Sequence, residues 1–295
     1  MKRREFIGTV GVGAGAAVLS GKKLSARQAG GKEETADEIY MRAYSTDAMC
    51  FGAHPPRTYV PYLTDSKVEA LRHSGITALS MCMTVVPSRM AENYAAEVRD
   101  VILKWDAFVD KYSDVFLKIT RAADFDEAKR SGKVGFIYNF QRTMPFGWNL
   151  GRLKEFVGMG IRQIQLTHDQ RNLVADSCYE KANAGLSSFG YRVIDALNEN
   201  RVVMDLTHVG DRSALEAILH TKAPMIFSHS GCYSLCPHPR NVSDRNIKAM
   251  ADKGGVFCVY GQTAWMTKDP VITMDHYIAH VEHVIKLGGE DAVAM

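Results

Sequence analysis

A chain of 295 residues, 46% hydrophobic and 23% charged, carries enough apolar mass for one large α/β barrel or two smaller domains. Its formal net charge of +3 is too small to argue for a nucleic-acid partner, and some of it lies in the first turns of sequence (Lys2, Arg3, Arg4, and Lys22 or Lys23). Six cysteines without a Cys-x-x-Cys pair argue against a zinc ribbon.

At the N-terminus, Lys2-Arg3-Arg4-Glu5-Phe6-Ile7 precedes a weakly apolar, glycine-rich run from Gly8 to Leu19. An arginine pair ahead of such a run resembles a twin-arginine export signal, with small residues Ala26 and Ala29 as cleavage points. The plainer alternative is a disordered basic tail. The run is too short to span a bilayer, so no transmembrane segment is expected. No cysteine follows it, which argues against a lipoprotein anchor. Export to the periplasm or the extracellular space is the expectation, a setting that permits disulfides. Cys50, Cys82 and Cys258 nevertheless sit in apolar surroundings and should pack as small hydrophobes. Residues 1–35 are read as signal and linker, and 36–295 as one domain.

Strand-like runs follow at 42–47, 76–82, 134–139, 162–167, 202–207, 224–228, 255–260 and 291–295. Helical patterns lie near 66–73, 92–112, 148–158, 188–199, 212–220, 243–253 and 274–287, several closed by a glycine such as Gly75, Gly160 or Gly288. Eight runs alternating with helices predict a (β/α)8 barrel of the TIM type, incomplete at its eighth strand. A doubly wound open sheet is the rival, and no Gly-x-Gly-x-x-Gly follows the first strand to support it.

The strand ends carry Asp47, Cys82, Gln141, His168, His208, His229 and Tyr260. In a parallel barrel, active-site groups sit where strands end. His208 closes Val202-Val203-Met204-Asp205-Leu206-Thr207, and His229 closes Met225-Ile226-Phe227-Ser228 in the next repeat unit. Neighbouring strands run roughly 4.8 Å apart, so the two rings can converge on one metal ion. The bland alternative is two unrelated, satisfied histidines.

Several segments together resemble the membrane (renal-type) dipeptidase family, the M19 metallopeptidases. They are Gly160-Ile161-Arg162-Gln163-Ile164-Gln165-Leu166-Thr167-His168, Met204-Asp205-Leu206-Thr207-His208-Val209-Gly210, Phe227-Ser228-His229-Ser230 and Pro239-Arg240-Asn241-Val242-Ser243-Asp244. The resemblance covers about residues 40–295. It implies a metallo-dependent hydrolase-like barrel in which two zinc ions activate a hydroxide to cleave dipeptides. It implies that His208 and His229 hold the second zinc, that His168 steadies the oxyanion, and that Arg240 binds the substrate carboxylate with its two-pronged guanidinium. The competing roles are a core histidine for His168 and, for Arg240, a surface ion pair with Asp244.

The chain departs from the family pattern at three places. Met49 and Phe51 stand where the family has a metal-binding His-x-Asp pair, and neither is a good zinc ligand. Gln141 falls where the family has a bridging glutamate. The sequence also stops at Met295, ahead of a family acid expected after the eighth strand, so the chain is read as a fragment. Two neighbouring cations need several anionic ligands. The expectation is therefore one zinc ion on His208 and His229, with Gln141 as a weak ligand through its amide oxygen. Asp47, water or the absent acid could complete the shell. The expected activity is a zinc-dependent dipeptidase-like hydrolysis of small dipeptides, or related amides with a free carboxylate. Expected partners are that small molecule and, at most, a second copy in a homodimer. The alternative is a barrel that kept its fold, lost catalysis, and serves as a small-molecule binder or scaffold.

Overall fold

The computed structural model describes residues 34–50, 63–84 and 94–294. In chain order it contains α1 (Ala36–Arg42), β1 (Thr46–Cys50), α2 (Asp65–Arg72), β2 (Ala78–Cys82), α3 (Tyr94–Lys111), β3 (Phe116–Lys118), α4 (Ala123–Ser131) and β4 (Val134–Phe140). There follow α5 (Leu150–Gly158), β5 (Ile161–Gln165), α6 (Ser188–Glu199), β6 (Val203–Asp205), α7 (Asp211–His220), β7 (Met225–Ser230), α8 (Asp244–Asp252) and β8 (Val256–Val259). Two helices, α9 (Thr263–Met266) and α10 (Met274–Gly288), lead to β9 (Val293–Ala294).

The strands are all parallel, and the ladder runs β1-β2-β4-β5-β6-β7-β8-β9. One edge of β4 is shared: β3 pairs with its first half (Phe116 with Val134, Lys118 with Phe136), and β5 with its second (Phe140 with Ile164). Ala48, Cys258 and Ala294 pack together, so the curl brings β1 against β8 and β9. Among the described residues no ladder joins β9 to β1, which leaves a curled, incomplete barrel. The helices cover its outside. On α3 the buried residues Val98, Val101, Ile102, Trp105 and Val109 repeat at helical spacing. Trp105 meets Phe136 edge-on at 5.6 Å, and Phe140 meets Phe156 at 5.1 Å, so outward-facing β4 residues anchor the helical layer. Among the described residues no helix is long and apolar enough to cross a membrane, and no disulfide joins any of the six cysteines.

The structure corrects the expected boundaries at both ends. The run at 42–47 is not a strand from its start. Thr35 and Glu38 form a capping box, and that local satisfaction carries a helix through Arg42. Asp47 is consequently the second residue of β1 and not at its end, and its carboxylate accepts the Met49 N–H at 2.9 Å. At the other end, Glu290–Ala292 is a 3-10 turn and β9 is confined to Val293–Ala294. The β3–α4 pair was not expected: β3 has three residues, and Ala128 alone is buried on α4, so neither periodicity shows.

Candidate active site

The C-terminal ends of β4 to β8 and the loops after them gather the site. His168 and Asp169 follow β5, His208 follows β6, His229 is the penultimate residue of β7, and Arg240 comes from the loop before α8. His208 has a left-handed backbone, φ 66°, costly for a residue with a Cβ. Its carbonyl is pinned there by the Cys178 N–H (2.8 Å) and the Thr167 hydroxyl (3.1 Å).

The structure brings His208 and His229 together, with their Nε2 atoms 3.2 Å apart. His168 stacks on His208 at a centroid distance of 4.1 Å. Asp169 joins the two, its Oδ1 2.9 Å from His208 Nδ1 and its Oδ2 3.2 Å from His168 Nδ1. His168, Asp169 and His208 are thereby also a cluster with the spacing of a metal site. His229 Nδ1 lies 2.7 Å from Ser228 Oγ, which donates to Asp205 Oδ2 at 2.5 Å.

Burial outweighs every other influence on the three rings. It pulls His168 down to about 4 and His208 to about 3, against the pull of Asp169, and holds His229 well below the usual histidine range. The hydrogen bond from His208 is the largest cause that holds Asp169 down at about 2. Three neutral imidazoles beside an anionic carboxylate suit a cation. The Cys178 thiol near this group is pushed up to about 11 by burial, so it stays a thiol in the metal-free protein.

These shifts fix how the metal-free protein responds to acid. Between pH 6.5 and about 4 the unfolded chain binds protons that folded His168 and His208 refuse, so stability falls as pH drops through that window. The Tm of chelator-treated protein should decline over this range, and His168→Gln should flatten the decline. A Tm independent of pH from 6.5 to 4 would contradict the buried, neutral assignment.

Arg240 is 2% exposed. One terminal nitrogen donates to the His229 carbonyl at 3.2 Å, and the guanidinium lies 4.4 Å above the Trp265 ring. Its Nε and NH1 are buried without a partner. Asp244 is not its counter-ion: that carboxylate takes the Ser234 hydroxyl and His283 instead. A cavity of about 450 Å³ opens beside these groups, lined by Cys178, His208, Tyr233, His238 and Arg240.

Gln141 is buried at the end of β4, with its amide nitrogen unpartnered, and no hydrogen bond links its side chain to either His208 or His229. Met49 is buried in β1, while Phe51 lies outside the described residues. Sequence reasoning does not single out Asp169, Asp205, Ser228 or Trp265. Asp169 and Ser228 adjoin candidate histidines and can be found that way; nothing in the sequence connects Trp265 to Arg240.

Residues 63–295 match the family model of the membrane dipeptidases, peptidase family M19. The chain is 31% identical over 196 residues to Dipeptidase tcpJ of Claviceps purpurea (strain 20.1), and 30% identical over 179 residues to Dipeptidase verJ of Clonostachys rogersoniana. These matches cover 64% and 60% of this chain and 46% of each relative, so the chain spans about half the length of the curated relatives it matches. The crystal structure of an amidohydrolase from Pseudomonas aeruginosa superposes with a TM-score of 0.71 at 31% identity, over 78% of this chain and 69% of that one. The probable dipeptidase PvdM from Pseudomonas aeruginosa superposes with a TM-score of 0.78 at 17% identity, over 88% and 84%, a likeness of fold alone. With this profile match over most of its length, the chain belongs to the membrane dipeptidase family, peptidase family M19.

Proposed function

We propose that this chain is a single-metal dipeptidase-like hydrolase acting on small amides that carry a free carboxylate. The observation behind it is the pair of neutral, buried Nε2 atoms 3.2 Å apart. Two nitrogens each about 2.0–2.1 Å from one tetrahedral zinc lie roughly 3.3 Å from each other, so the pair fits one shared ion. The proposal is one ion and not two. Met49 and the Gln141 amide bring no charge where a second dication would need it, and Asp47 is bonded to its own strand. When bound, zinc supplies a water acidified to a pKa of about 7 and a Lewis acid for the amide carbonyl.

The remaining work falls to the chain. Arg240 presents buried, unpartnered N–H groups to the substrate carboxylate, beside the cavity that receives it. Asp169 Oδ2 lies 3.2 Å from Nδ1 of His168, which favours the proton on that nitrogen and leaves Nε2 as the ring's acceptor. To steady an oxyanion, His168 must donate from Nε2 and so become charged; Asp169 favours this and burial opposes it. His168 is therefore suited to take up a proton during the reaction rather than to hold one beforehand. Export by a twin-arginine route belongs to the same proposal and rests on Arg3 and Arg4 alone, outside the described residues.

The test is metal content and hydrolysis of unblocked dipeptides by the purified full-length protein. We expect about one zinc per chain. Zinc uptake without cleavage of any dipeptide would leave a binding protein. Restoring charge should restore the second ion: Met49→His with Phe51→Asp and Gln141→Glu should raise the zinc stoichiometry towards two, measured by elemental analysis. An unchanged stoichiometry would count against missing ligand charge as the reason for a single ion.

A further inference from the structure

We propose that Asp205, acting through Ser228, is a positioning residue that fixes the tautomer of His229 and so aims its bare Nε2 at His208. This rests on the single-metal reading for its purpose, but not for its geometry. Asp205 is fully buried and accepts four hydrogen bonds. Its Oδ1 takes the backbone N–H groups of Thr207 (3.0 Å) and Ser228 (3.2 Å). Its Oδ2 takes the Ser228 hydroxyl (2.5 Å) and the Gln163 amide (3.2 Å).

The Ser228 hydroxyl has one proton, and Asp205 receives it. Toward His229 Nδ1, at 2.7 Å, Ser228 can then only accept. His229 must then carry a proton on Nδ1, and in the neutral ring Nε2 is a lone pair. Asp169 favours the same tautomer on His208 from the opposite side, since a carboxylate oxygen accepts from Nδ1–H. Two acceptor nitrogens therefore face each other at 3.2 Å with no proton between them. That contact is repulsive in the empty protein and is relieved by a cation. The two carboxylates stand behind the rings, one direct and one relayed by a hydroxyl, as outer partners that orient metal-binding imidazoles.

The relay is anchored at its far end as well. Gln163 Oε1 accepts from Ser80 Oγ at 2.8 Å, and Ser80 Oγ accepts from the Asn139 amide at 2.8 Å. The His229 backbone N–H donates to Thr207 Oγ1 (3.3 Å), which lies 3.2 Å from Ser228 Oγ. Asp205 is thus held both by the site strands, through Thr207 and Ser228, and by β5, β2 and β4 through the barrel interior.

The decisive measurement is the tautomer, read from two-bond nitrogen–proton correlations in metal-free, full-length protein labelled with nitrogen-15 histidine. Wild-type His229 should show the Nδ1–H form. Ser228→Ala and Asp205→Asn should lose it, and Ser228→Thr, which keeps the hydroxyl, should retain it. Zinc affinity by competition with a chelating dye should fall about ten- to a hundredfold in Ser228→Ala and Asp205→Asn, at unchanged circular dichroism, and recover in Ser228→Thr. An Nδ1–H form that persists in Ser228→Ala overturns the proposal. So does zinc binding that survives His229→Ala but not Asp169→Asn, which would place the ion on His168, Asp169 and His208. A wild-type protein that binds no zinc overturns the metal reading instead, and the tautomer then decides the proposal alone.

Discussion

Replacing His229 by alanine is expected to reduce bound zinc from about one ion per chain to a trace, and dipeptide hydrolysis to background. The expectation is this large because the proposed single-metal site has His208 and His229 as its two ligands. In a site with four or five protein ligands, one loss weakens; in the proposed site with two, it leaves the ion on His208 alone, and full retention would point to the His168, Asp169 and His208 cluster instead. The hydrogen bonds that hold the neighbouring strands do not pass through the ring. Ser228 still donates to Asp205 when His229 is removed, so no buried donor is orphaned. The Tm measured without metal should therefore stay close to that of wild type stripped of zinc. Full metal retention in His229→Ala would defeat the shared-ion assignment.

The second large effect is expected at Arg240. Arg240→Ala should lower kcat/KM for unblocked dipeptides by about ten- to a hundredfold, the worth of a charge-assisted bond of about 1.5–3 kcal/mol. Amidated dipeptides should hardly respond. The prediction follows from the state of the guanidinium: one nitrogen is bound to the His229 carbonyl, the plane is held over Trp265, and Nε and NH1 are buried and unpartnered. An arginine held this way is costly to bury without a carboxylate to meet it. Equal losses on both substrates would make Arg240 a structural support of the His229 carbonyl and remove the reason for a free-carboxylate substrate.

What could be seen in the sequence was whatever depended on spacing along the chain. His208 and His229 close successive strands of one repeat, and adjacent parallel strands must bring such positions together, so their meeting was legible before any coordinates. The alternation of apolar runs likewise pointed to the barrel. What depended on space was not legible. Asp169 reads as one more polar loop residue until the turn after β5 brings it to the Nδ1 edges of two stacked rings. Asp205 reads as the polar partner in an alternating strand until Ser228, on the neighbouring strand, is found against it. Local competition hid other features: the Thr35–Glu38 capping box turned an expected strand start into a helix, and β3 was too short to show a period.

The left-handed backbone of His208 bears on how such a site decays over evolutionary time. At φ 66° the tolerated replacements are glycine, asparagine and aspartate, while a β-branched residue costs of order 1–3 kcal/mol in strain alone. The histidine codons lie one base change from those of asparagine and aspartate. Mutational steps away from the ligand thus include ones the backbone accepts. A descendant that took such a step would keep its barrel and its Cys178 and Thr167 hydrogen bonds to that carbonyl, and on the single-metal proposal lose only its grip on the ion. Selection on folding would not see the loss, so inactive members of such a lineage can persist with intact architecture.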